Sequence, residues 1–167
     1  NAIADVLTGD VNPSGRLTDT WARLIEHYPT TTTFKESPDY VRYSEGLFVG
    51  YRYFEDDEEK QQKIVFPFGH GLSYTQFSIQ NSAIFNEELQ EFIITSNVTN
   101  IGEKSGKQVI QVYAEKPQNE KFIKVKRELV AFGKTNEIPP NYRTTLTMRF
   151  KLKDLASYDD TGVTGNK

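Results

Sequence analysis

The sequence predicts a mainly β chain, with an antiparallel β-sandwich over residues 77–167 preceded by an irregular segment over residues 1–76. Three observations carry that expectation. The second half holds short runs rich in β-branched and aromatic residues. Turn-forming residues separate those runs, and no helical period intervenes. The first half lacks this grammar but carries many aromatic side chains with no obvious partners.

In chain order, Ala2 to Leu7 has helical spacing over about two turns, too short to be stable alone. Asp10 to Leu17 reads as a turn, with Pro13 fixing φ and Gly15 free to take unusual values. Leu47, Val49, Tyr51 and Tyr53 alternate as a strand, and Glu55 to Lys60 then reads as a solvated, charged loop. Several hydrophobic pieces here lack obvious partners inside the chain, as expected of a segment cut from a larger domain. Strands are predicted at Phe77–Ile79, Glu91–Val98, Gln108–Tyr113, Glu128–Phe132 and Thr144–Leu152, with turns at Asn86–Glu88, Asn100–Gly102, Lys116–Asn119 and Pro139–Asn141. Five or more short strands of this kind argue for a sandwich. Its expected inward residues are Val109, Ile110, Val112, Leu129, Phe132, Leu146, Met148 and Phe150.

Composition narrows the function. The 167 residues carry 20 Lys and Arg against 23 Asp and Glu, a net charge of -3. Residues 1–76 hold 7 basic and 12 acidic side chains, and residues 77–167 hold 13 and 11. Neither half forms a nucleic-acid surface. The cluster Lys121, Lys124, Lys126 and Arg127 alternates with Phe122, Ile123 and Val125, as on a half-exposed strand. No run approaches the length of a membrane span, and Asn1 to Thr8 lacks the pattern of a signal peptide. The expectation is no membrane and no export signal. With no cysteine, disulfides, thiolate zinc sites and cysteine nucleophiles are excluded. Cysteine usage leaves the compartment open, with the cytoplasm favoured over secretion.

The catalytic templates find no match. His27 and His70 are the two histidines, too few and too far apart for a multi-histidine metal site. His27 reads as a surface residue near a turn. His70, between Gly69 and Gly71, reads as structural. No nucleophile elbow occurs. Gly102 to Lys107 has the glycines and lysine of a phosphate loop at the wrong spacing and is expected to be a hairpin turn. Asn97-Val98-Thr99 is a glycosylation sequon of common type. A retaining glycosidase needs two carboxyl groups about 5 to 5.5 Å apart. Glu45 lies among aromatics able to shift its pKa or contact a sugar, and an ion pair with Arg52 is the alternative. Taken by themselves, the residues show no active site, so no catalytic, cofactor-binding or metal residue is assigned.

Three ordered motifs then become recognisable together. Ala4 to Leu17 (ADVLTGDVNPSGRL), Glu45 to Phe54 (EGLFVGYRYF) and Phe66 to Thr75 (FPFGHGLSYT) resemble the later part of glycoside hydrolase family 3 enzymes, the β-glucosidase family. Asn97 to Gly102, Gly106 to Tyr113 and Glu128 to Thr135 are similar to the fibronectin type III-like domain attached to those enzymes. The resemblance covers nearly the whole chain.

This resemblance implies a fibronectin type III-like, immunoglobulin-like sandwich at residues 77–167, preceded by a partial α/β segment at 1–76, the tail of an α/β sandwich and its linker. Leu17 to Ala22 and Ala156 to Gly162 look most like members whose (β/α)8 barrel follows these domains. The family's catalytic nucleophile is an Asp in the barrel and its acid/base Glu lies upstream of Asn1, so neither role passes to a residue here, Glu45 included. The implied parent is a retaining β-glucosidase. This chain would brace its catalytic domains and shape the substrate entrance, meet the β-glucoside only through the parent, need no cofactor and be inert alone. The family continues into a last strand after the Ser157-to-Asp160 segment, so the sandwich is expected to lack its final strand. The rival expectation is a free-standing carbohydrate-binding or adhesion module, which would need an exposed aromatic platform. The aromatic load of residues 1–76 also predicts self-association, and weaker protection of residues 1–35 than of the sandwich.

Overall fold

The computed structural model describes residues 1–55, 57–115 and 124–156. It begins with the short helix α1 (Ala2–Thr8). The Asn1 side chain caps it by accepting from the Ile3 amide, and Gly9 ends it with φ at 83°. A two-stranded sheet pairs β1 (Trp21–Ala22) with β2 (Ile64–Phe66), Trp21 opposite Phe66. Between them lie two turns of 3₁₀ helix, Ile25–His27 and Pro29–Thr32, and two short helices, α2 (Tyr51–Phe54) and α3 (Glu58–Gln62).

Two expectations fail in this stretch. Leu47 to Tyr53 is not a strand. Gly50, at φ 58°, breaks the extended run, and the chain then coils into α2. That turn buries Phe54 completely, edge-on to Tyr28 and Tyr53. A local cluster outweighs two-residue alternation. The later part of the expected charged loop, from Glu58 on, is instead helix α3, because the Asp57 carboxylate accepts from the Lys60 amide at 2.7 Å and caps it. Two acids in its first turn also suit the helix dipole.

The strands of the second half are β3 (Phe77–Asn86), β4 (Glu91–Asn100), β5 (Val109–Glu115), β6 (Arg127–Lys134) and β7 (Arg143–Lys151). One antiparallel sheet has the order β3-β4-β7 and the other pairs β5 with β6. Strand β3 runs well past the predicted Ile79. Gln80 to Ala83 are weak strand formers, but they pair residue by residue with β4. The sheets close over Val98, Ile110, Ile138 and Met148, with Phe77, Ile94, Val112, Ala131 and Leu146 packed around them.

The predicted core needs correction on one face. Ile110 and Met148 are buried, and Val112 and Leu146 pack on them. Phe132 is 72% exposed. It follows Ala131, which faces the core opposite Val112, so alternation turns the Phe132 ring outward. Val109 points away from the core for the same reason. Leu129 pairs with Tyr113 across a bulge and stays half-buried, as does Phe150. The Gly102 to Lys107 loop is not a hairpin turn. It carries the chain from β4 in one sheet to β5 in the other, and Gly106 bridges to Ile138 on the way. The supposed basic strand starts only at Arg127, with Val125 buried just before it. Lys121 to Ile123, the Lys116–Asn119 turn and the chain end beyond Ala156 lie outside the described residues.

Candidate functional site

The most heavily constructed polar region is the seam where residues 1–76 meet the outer face of β5 and β6. Its centre is Tyr51, the first residue of α2. The ring lies 4.9 Å from Phe68 and 5.8 Å, edge-on, from Tyr113 of β5. Its hydroxyl accepts from the Leu129 amide of β6 at 2.8 Å. Arg52 pairs with Glu128 at 3.1 Å. The Arg127 guanidinium donates twice to the Glu55 carboxylate, at 2.7 and 2.6 Å, and lies over the Tyr113 ring. A two-pronged arginine–carboxylate bond is directional as well as attractive. The hydrogen bond to Glu55 raises the Arg127 pKa, and burial first, then Tyr51 and Glu55, raise that of Tyr113.

A second set of contacts fixes the crossing from one segment to the other. Asn12 donates to the Ser105 carbonyl at 2.8 Å and accepts from the Ser73 hydroxyl and the Tyr74 amide. Arg16 donates to the Gly71 carbonyl at 2.6 Å and to Gln108 at 2.5 Å. Gly69 takes φ 80°, and a Cβ there would collide with the Gln111 side chain. Asn100, fully buried at the end of β4, donates to the Lys104 and Ile138 carbonyls and accepts from Thr75 and the Gly102 amide. Every polar position of its amide is used, which is what makes its burial tolerable.

The arrangement holds and orients. Glu45 is half-buried but the expected Arg52 partner belongs to Glu128. The reason is reach. α2 turns the Arg52 side chain toward β6 rather than back along the chain. His70 stacks on Phe66, and its carbonyl accepts from Leu17. His27 sits in a 3₁₀ turn. Asn97 of the sequon accepts from Thr145. Among the described residues no three His, Asp or Glu side chains gather as metal ligands. No described helix is long and apolar enough to cross a membrane. Phe85, Phe92 and Phe150 stack in a row across β3, β4 and β7. They occupy the same face as Val98 and Met148, so they are not the outward platform a sugar-binding module would present. Sequence reasoning missed Tyr51, Tyr113, Glu55, Arg127, Asn12 and Asn100 as partners, since each pair is far apart in the chain.

Fold and seam define an immunoglobulin-like sandwich clasped by the segment that precedes it. Comparison with known proteins gives that pairing a family. The glycosyl hydrolase family 3 C-terminal domain matches residues 1–74, and the fibronectin type III-like domain matches residues 108–164. A β-glucosidase of Ruminococcus albus is 47% identical over 98% of this chain and 17% of its own length. The solved β-glucosidase of Paenibacillus barengoltzii superposes with a TM-score of 0.89 at 44% identity, over 99% of this chain and 18% of that one. β-Glucosidase 3B of Thermotoga neapolitana, solved with glucose, gives 0.84 at 35% identity, over 94% and 22%. The chain thus spans about a fifth of the relatives it matches. It belongs to glycoside hydrolase family 3, in the region formed by that family's C-terminal domain and fibronectin type III-like domain.

Proposed function

We propose that this chain is the accessory region of a retaining β-glucosidase that hydrolyses terminal β-D-glucosyl residues. Its task is to brace the catalytic domains of the parent. Residues 1–76 are the tail of the α/β sandwich and its linker, and residues 77–167 are the fibronectin type III-like domain. The observation that carries the reading is the seam. A helix and linker of the family 3 segment are tied by Tyr51, Arg52, Glu55, Asn12 and Arg16 to the sandwich at several separate points. The β-glucoside is met through the parent, and both catalytic carboxylates belong to polypeptide outside these residues. The exposed aromatics Trp21, Phe34, Tyr40 and Tyr43 make the isolated chain prone to associate with itself.

The purified chain is expected to leave an aryl β-glucoside unhydrolysed above background. Turnover that Glu45→Gln abolishes would overturn the reading. Hydrogen exchange should find residues 1–35 less protected than β4 and β7, and light scattering should show association rising with concentration. Uniform protection in a strictly monomeric chain would make residues 1–76 a self-sufficient domain instead.

A further inference from the structure

The loop from β4 to β5, which has the glycines and lysines of a phosphate loop without its spacing, forms one wall of a polar cleft on the seam. The cleft measures about 420 Å³. Asp10 and Ser14 line it from the turn after α1, Tyr74 from the linker, Lys104 and Lys107 from the β4–β5 loop, and Glu137 from the connection between β6 and β7. Its walls are set by contacts within the chain. The Lys104 carbonyl accepts from Asn100 and the Ser105 carbonyl from Asn12. Gly106 is bridged to Ile138. Tyr74 is held at both ends, its amide donating to Asn12 and its hydroxyl to the Val6 carbonyl.

The cleft offers donors and acceptors in equal measure. Among the described residues the Lys104 and Lys107 ammonium groups and the Glu137 carboxylate have no partner. Asp10 uses one carboxylate oxygen on the Thr8 hydroxyl. Two cations and two carboxylates cancel, so the cleft has no net charge with which to draw in a phosphate, and an anion would sit against Asp10 and Glu137. An apolar ligand would strip water from all four groups and return no hydrogen bonds. A neutral polyhydroxylated ring meets both demands. Each of its hydroxyls can donate to a carboxylate and accept from an ammonium, and its C–H face can lie on Tyr74, whose side chain is 49% exposed. The volume falls in the lower part of the range for small-molecule pockets, about 300–1,000 Å³, which suits one ring rather than a chain of them.

We propose that this cleft binds a single pyranose sugar, with Asp10, Lys104, Lys107 and Glu137 on its hydroxyls and Tyr74 against its ring. The proposal concerns binding alone and does not depend on the bracing role. Residues 1–76 supply Asp10 and Tyr74, and the sandwich supplies Lys104, Lys107 and Glu137. A sugar held between them therefore adds contacts across the seam to those of the clasp, at a boundary between two regions where small-molecule sites are common.

The test titrates the full chain with D-glucose, with tetrahydropyran and with inorganic phosphate, and follows the backbone amides by NMR. D-Glucose should shift the amides of Asp10, Tyr74, Lys107 and Glu137 saturably. Tetrahydropyran, the same ring without its hydroxyls, should not. Lys107→Ala and Glu137→Gln should each weaken glucose binding about tenfold, as for the loss of one hydrogen bond to a charged group. Lys153→Ala, an exposed lysine after β7, should leave it unchanged. All three side chains are exposed, and their replacement leaves the Asn12 and Asn100 contacts in place. Saturable shifts from phosphate but not from glucose would overturn the proposal and make the β4–β5 loop an anion site. Equal shifts from glucose and tetrahydropyran would reduce the cleft to an apolar contact, and glucose shifts untouched by both variants would place binding elsewhere. Either result overturns the proposal, as does the absence of any saturable shift.

Discussion

Residues 77–151 are held by backbone ladders and a small apolar core, whereas residues 1–76 are held mainly by individual side chains. In the sandwich, ten consecutive residue pairs join β3 to β4, and nine more join β4 to β7. Among the described residues of the leading segment the longest strand has three residues, and Phe54 is the one fully buried large apolar side chain. What fixes it is Tyr51, Arg52, Glu55, Asn12 and Arg16, each reaching across to the sandwich. A ladder distributes stability over many bonds. A clasp concentrates it, so single substitutions there should loosen the seam and leave the ladders in place.

The comparison breaks most sharply at Ile138, which is 2% exposed at the centre of the core. Ile138→Ala should cost about 2–5 kcal/mol in urea unfolding and should lower exchange protection throughout β4, β6 and β7. Asn100 is the next largest, because it joins both regions. Asn100→Ala leaves the Lys104 and Ile138 carbonyls without their donor and should cost about 2–3 kcal/mol. Tyr51→Phe deletes only the acceptor for the Leu129 amide. It should cost about 1 kcal/mol, read as faster exchange at Leu129 with the β3–β4 ladder unaffected. Arg127→Ala should be smaller, about 0.2–1 kcal/mol, and should shrink further in high salt.

The smallest effect is on pH. Burial, ahead of Tyr51 and Glu55, raises the Tyr113 phenol above its ordinary 10.0. The folded chain then holds that proton more tightly than the unfolded one. The resulting stabilisation is complete below pH 10.0 and is lost as pH climbs through the raised value. Tyr113→Phe should flatten the alkaline edge of a stability profile. An unchanged slope would place the phenol in open solvent.

Much of the sandwich was legible because alternation and turn chemistry are local. Pro139 to Asn141 read correctly as a turn, and Asn141 adopts φ 64° there. Phe132 misled because hydrophobicity alone does not say which face a strand residue occupies. Its neighbour Ala131 held the inward position. Leu47 to Tyr53 misled more deeply, since an alternating run of four side chains fits a strand as well as it fits a loop entering a helix. Gly50 was the available signal. The clasp was illegible for a different reason. Glu55 and Arg127, or Asn12 and Ser105, are brought together only by the folded path of the whole chain. The ordered family motifs located the seam's elements without saying which side chains meet.

The β3–β4 hairpin also sets an order of events in time. Its strands are joined by Glu87 to Gln90, with the Asn86 side chain accepting from the Leu89 amide and Gln90 at φ 50°. Closing so short a loop loses little chain entropy, whereas β7 reaches β4 only after β5, β6 and their connections have been gathered in. The expected order is therefore the hairpin first and β7 late, which φ-values in the β3–β4 turn and in β7 would check. Substitutions at the β3–β4 turn should then change the rate of folding, and those in β7 chiefly the rate of unfolding.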